Sequence, residues 1–223
     1  MVKATEAAPA TAAEATAAEA TAAAAEAIRT VYERLHRRPE LGLRLPETVA
    51  TIADALDGLP LELHRGRGLD SLIAVLRGPS EGPVTVLRAD TDALPVAETP
   101  DHALRSELDG VMHACGHDAH AAMLVGAAHL LSAATAELPG PVVLLWQPGE
   151  EGYDGMGAML DEGLMELISG LGDRAETFGL HVLSDPDVPA GVCTGRAGPS
   201  HASTATFDVV LRGRGGHAAF PHL

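Results

Sequence analysis

SLIAVLRGPSEGPVTVLRAD, residues 71–90, holds two short apolar runs, LIAVLR (72–77) and VTVLR (84–88), bounded by Gly and Pro. Runs of that length, rich in Val, Leu and Ile, are the mark of strands buried on both faces of a sheet. VVLLW (142–146) reads the same way, and TFGLHV (177–182) is a further strand. Helical spacings lie between them. Met123, Ala127, Leu130 and Leu131 predict a helix over 118–134 with Asp118 as its N-cap. Met159, Leu160, Leu164, Leu167 and Ile168 predict another, closed by Gly170. Upstream, Ile28, Val31 and Leu35 share one helical face, and the helix stops before Pro39. A second helix opens at Pro46, carries Val49, Ile52 and Leu56 on one side, and ends before Gly58. Strands alternating with helices predict an α/β fold, with helices on both faces of a mostly parallel sheet.

The two ends of the chain read differently. Residues 1–27 form an Ala-rich, low-complexity extension in which TAAEA recurs from Thr11. A five-residue period keeps no continuous helical face, so this extension need not pack on anything and is expected to be a frayed or solvated helix without function. At the other end, in FDVVLRG (207–213), Phe207, Val209 and Leu211 alternate with Asp208 and Arg212. That period of two predicts a strand wet on one side, opening a second domain. The expected division is therefore 1–27, 28–203 and 204–223.

Composition narrows the function. The 223 residues carry 15 basic and 31 acidic side chains, a net charge of −16, which suits no phosphate backbone. Hydrophobic residues make up 46% of the chain, enough for a core, although aromatics are only 3% and Ala, Val and Leu must fill it. No run approaches the ~18 apolar residues of a membrane span. The opening MVKATEAAPA has neither the basic nor the apolar region of a signal peptide. Cys115 and Cys193 do not make a disulfide framework, so a reduced, cytoplasmic chain is expected.

In an open α/β sheet, ligands bind beyond the carboxyl ends of the strands. Four polar constellations fall there: Asp90 and Asp92 after VTVLR, HACGHDAH before the 118–134 helix, Glu150–Glu151 after VVLLWQPG, and His181 after TFGL. Each alone has a bland reading as a cap, a turn or a buried core residue. Together they offer thiolate, imidazole and carboxylate, the ligand set of zinc or another first-row metal. Adjacent carboxylates can divide two jobs, one holding metal and the other acting as a base toward water.

In order, ERLHRRPELG, LRADTDALPVAE, GVMHACGHDAHAAMLVGAAHLL, WQPGEEGYDGMGAML, FGLHV and GRGGHAAFPH resemble the metallopeptidase family of aminoacylases, hippurate hydrolases and indole-acetyl-amino-acid hydrolases. The resemblance runs from about Val31 to the last residue. It implies a zinc-exopeptidase-like catalytic domain interrupted by a smaller α+β lid that mediates dimerisation, and two divalent metal ions. Matched by motif, Cys115, His117, Glu151 and His181 look like metal ligands and Glu150 like the general base. Asp92 looks like the acid behind the site that orients its groups. His217 of GGHAA resembles the lid histidine that stabilises the oxyanion, commonly across a dimer interface.

The resemblance thus implies a metal-dependent amidohydrolase, using Zn or Mn (or Co), that cleaves N-acyl amino acids or small peptide-like conjugates as a homodimer. A dipeptide or peptidoglycan-peptide carboxypeptidase shares that chemistry. Members of the family are longer, with a further histidine ligand and lid residues that grip the substrate carboxylate. The rival expectation is accordingly a C-terminally truncated, non-catalytic, metal-binding remnant.

Overall fold

The computed structural model describes residues 12–99, 103–184, 186–199, 207–220 and 222. They divide into two compact units, Met1–Val182 and Leu183–Leu223. The first ends well before the expected 203/204 boundary, which itself lies outside the described residues.

Among the described residues five strands form one sheet: β1 (Glu62–Arg65), β2 (Leu72–Leu76), β3 (Val84–Asp90), β4 (Val142–Gln147) and β5 (Ala175–Gly179). Their order is β1-β2-β4-β3-β5. β3 runs parallel to both β4 and β5, while β2 is antiparallel to its neighbours β1 and β4. Four of the five strands therefore point the same way, as expected of a mostly parallel sheet. β1 carries no apolar run in ELHR, and its pairing with β2 rather than its own pattern makes it a strand.

Alternation along the strands sorts side chains onto two cores. Leu72, Ala74, Leu76, Ala89, Leu144 and Trp146 face the helices α1 (Ala12–Arg37), α2 (Pro46–Ala55) and α3 (His117–Ala133). Val75, Val84, Val86, Val143 and Leu145 face α4 (Gly155–Asp161) and α5 (Leu164–Ser169). β4 is buried along its whole length, and the indole N–H of Trp146 donates to the Ala121 carbonyl, tying β4 to α3.

Four expectations are corrected. The single helix expected over 159–168 is two, α4 and α5, because Gly163 takes φ +101 between them, a conformation a side chain opposes. The N-cap of α3 is Gly116, with φ +80, and Asp118 sits in the first turn, 1% exposed, engaged elsewhere. The Ala-rich extension does pack at its end: α1 is continuous from Ala12, and Ala24 is 3% exposed. A Cβ at Gly126 of α3 would meet Ile28 at 2.4 Å, so the two helices approach closely there. Residues 1–11 of the extension lie outside the described residues.

The fourth correction concerns the second unit. Residues 207–217 form no strand, and Phe207 and Leu211 are 82% and 91% exposed. A strand is a paired structure, and among the described residues this segment has no ladder partner.

Candidate metal centre

The site forms where the parallel strands end. β3 delivers Asp90 and, two residues on, Asp92; β4 leads to Glu150 and Glu151; β5 leads to His181. The turn before α3 supplies Cys115, and the helix begins at His117.

Asp92, 1% exposed, organises the centre from behind. Its carboxylate accepts the backbone N–H of Glu150 at 2.9 Å and that of Glu151 at 3.0 Å. Its backbone carbonyl accepts Nδ1–H of His117 at 2.8 Å. Burial works against the ionised Asp92, but His117 and these two N–H groups outweigh it and lower its pKa. One side chain thus sets the two glutamates while the same residue's backbone sets the imidazole.

The hydrogen bond at Nδ1 leaves Nε2 of His117 with the lone pair. That atom is buried and has no hydrogen-bond partner. It lies 3.9 Å from a Glu150 carboxylate oxygen and 3.7 Å from one of Asp90. His181 is held likewise, Nδ1–H donating to the Val182 carbonyl at 2.7 Å, with Nε2 3.4 Å from the Cys115 sulfur.

Among the described residues three overlapping donor groups result, each with its ligand atoms within 4.8 Å of one another: Cys115, His117 and His181; His117, Glu150 and Glu151; Asp90, His117 and His120. The expected ligands Cys115, His117, Glu151 and His181 therefore converge, with Glu150 beside them. His217 belongs to the second unit, where its Nδ1 accepts the Ala219 N–H at 3.3 Å and its ring lies 5.6 Å from that of Phe220.

The electrostatics fit a cation. Burial opposes protonation of His117, yet Asp92, Asp90 and Glu150 raise its pKa: the surroundings call for positive charge. Burial, reinforced by Glu151, pushes the Cys115 thiol up to about 11, so its thiolate requires an added cation. An orphaned imidazole nitrogen, a thiol and carboxylates at these separations are the donors that zinc or a related divalent ion takes. The residues present fit the metal that the resemblance implies.

Residues 86–218 match the peptidase family M20/M25/M40. The chain belongs to this family. Among its relatives, N-acetylcysteine deacetylase of Bacillus subtilis is 39% identical over 189 residues, covering 84% of this chain and 48% of the relative. Thermostable carboxypeptidase 2 of Saccharolobus solfataricus is 38% identical over 195 residues, covering 86% of this chain and 48% of the relative. The chain spans a little under half the length of these relatives. Among solved structures, the YXEP protein of Bacillus subtilis, described as a dinuclear metal-binding peptidase of the M20 family, superposes with a TM-score of 0.65. It is 36% identical and the match covers 75% of this chain and 45% of that one. The α/β fold of this M20-family chain is thus that of an M20 metallopeptidase.

Two groups at the centre escaped the sequence reading. His120 is 3% exposed and bridges Asp90 to the His181 segment. Its signal was present, since a residue three after His117 on a helix shares its face. His36 of ERLHRRPELG bonds Asp118 at 2.6 Å and Glu98 at 3.0 Å, behind the first turn of α3. Nothing local distinguishes that histidine from a surface one.

Proposed function

We propose that the full protein is a metal-dependent amidohydrolase acting on N-acyl amino acids or small peptide-like conjugates. The observation that carries this is the buried, unpartnered Nε2 of His117, aimed into donors from three strand ends, with a glutamate at the margin. Cys115, His117, Glu151 and His181 would hold divalent metal, zinc suiting the thiolate best and manganese or cobalt also taking such a mixed donor set. Bound there, two such ions would polarise the scissile carbonyl and acidify water.

The chain's own residues do the rest. Glu150, 43% exposed at its side chain, is the carboxylate open to water and substrate. It takes a proton from water as the water oxygen bonds to the carbonyl carbon. It returns that proton to the amine nitrogen as the C–N bond breaks, leaving a carboxylic acid and a free amine. Asp92 keeps Glu150 in place through its backbone N–H. His217 is proposed as the donor to the developing oxyanion, in a homodimer. A free thiol at Cys115 suits a reduced, cytoplasmic setting.

The names of the relatives cover both acyl removal and carboxypeptidase action, which are the same hydrolysis with an amino acid as the leaving amine and a different acyl group. The test is Glu150→Gln in the full-length protein, assayed on acetyl- and benzoyl-amino acids and on dipeptides. Bound metal should be retained while turnover falls about 100-fold or more. Parental turnover in that variant would remove Glu150 from the role of base.

A further inference from the structure

α3 presents His117 to the metal centre and His120 to the same face one turn on. Both ring nitrogens of His120 are engaged. Nε2 accepts the backbone N–H of Val182 at 2.9 Å, so the proton resides on Nδ1, which donates to Asp90 at 2.6 Å. The other Asp90 oxygen accepts from Arg88 at 2.7 Å, and Arg88 donates twice more to the side-chain carbonyl of Gln147, at 3.0 and 2.8 Å. Burial opposes the Asp90 carboxylate, but His120, His117 and Arg88 bring its pKa down to about 2, so it accepts as an anion. A continuous chain of polar contacts therefore runs from β4 through β3 and α3 to the peptide that follows His181.

That peptide needs an anchor. β5 ends at Gly179, so His181 and Val182 lie beyond the ladder that orients the strand. The ring of His120 also meets the ring of His181 edge-on, with centroids 4.6 Å apart. Gly116 leaves room for the same segment: a Cβ there would come within 2.5 Å of the Val182 side chain.

We propose that His120 is the positioning residue that seats His181 against Cys115 and His117, by accepting the Val182 N–H while braced on Asp90. With both nitrogens committed, His120 serves the centre by holding the segment that carries a ligand. The proposal rests on the metal role of His181 given above.

Two substitutions separate the two ends of the imidazole. In His120→Gln the side-chain carbonyl reaches the place of Nε2 and can accept from Val182. In His120→Asn the shorter amide reaches only the place of Nδ1 and can donate to Asp90. Two readouts apply to the 223-residue chain: hydrogen exchange at the Val182 amide in metal-free protein, and cobalt titration followed by the thiolate-to-cobalt charge-transfer absorption from Cys115. His120→Asn should lose Val182 protection and weaken cobalt binding by about 10- to 100-fold, whereas His120→Gln should stay within about threefold of the parent in both. Equal behaviour of the two variants in Val182 exchange would overturn the proposal. If His120→Asn does not fold, the parent decides: a scalar coupling between Val182 N and His120 Nε2 is expected, and a freely exchanging Val182 amide without it overturns the role. A parent chain with no cobalt–thiolate band would instead overturn the metal reading, while Val182 exchange still decides what His120 does.

Discussion

Nδ1–H of His117 donates to the backbone carbonyl of Asp92 at 2.8 Å, which dictates that Nε2 is the nitrogen facing the metal centre. Because the Asp92 carboxylate also holds the N–H groups of Glu150 and Glu151, base and ligands are referenced to one buried residue. Removing that carboxylate should be felt by all of them.

Asp92→Ala leaves both glutamate N–H groups without their acceptor, an expected loss of about 1–3 kcal/mol of stability. Asp92→Asn should fall between, since Glu150 and Glu151 bond different oxygens of the carboxylate and the amide replaces one of them with an NH2 that cannot accept. Denaturant unfolding of the three proteins checks this. Identical midpoints would mean that the Glu150–Glu151 turn holds its shape unaided.

Metal content should follow the donor groups. Cys115→Ala removes the only sulfur of the Cys115, His117, His181 group, and His181→Ala removes its partner 3.4 Å away. Elemental analysis after dialysis against zinc should show reduced stoichiometry in both variants. Full parental stoichiometry in both would dismiss the assignment.

Stability should fall as pH rises above neutral, through His36. Its hydrogen bond to Asp118 foremost, then Glu98, raises its pKa against the opposing effect of burial. The Tyr32 ring lies 5.5 Å from it, and burial pushes the pKa of the nearby His113 down to about 4, so that imidazole is neutral near pH 7. A raised folded pKa contributes stability that is complete below the unfolded value of ~6.5 and is lost as pH climbs through the folded one. Unfolding free energies at pH 6 and pH 9 should differ more in the parent than in His36→Gln. Parallel pH curves for the two proteins would remove His36 as the cause.

The N-terminal extension should divide at Ala24. Within a deletion of residues 1–19 the side chains whose burial is described, Ala17, Ala18 and Glu19, are exposed, whereas Ala24→Asp places a charge at a position 3% exposed. The substitution is expected to lower Tm by about 4–8 °C, and the deletion by much less. Equal, small shifts would show that this part of α1 is not docked in solution.

The sequence by itself determined the strands β2, β3 and β4, because burial in the sheet leaves an apolar run that needs no partner to be recognised; β5 is exposed along AETFG, and the run expected at 177–182 meets it only at 177–179. It determined that Cys115, His117, Glu150, Glu151 and His181 stand at strand ends or a helix start, because a strand's end and a helix's first residues are local properties. Only the tertiary structure decided that β4 lies between β2 and β3, since an apolar run records that it is buried and not which strand it bonds. The same holds for the polar contacts behind the centre. His36 meets Asp118 across 82 residues of sequence and Glu98 across 62, and His120 meets Val182 across 62. A buried histidine held by distant partners has the same neighbours in sequence as an exposed one. Its burial, tautomer and partners exist only once the sheet and helices have packed.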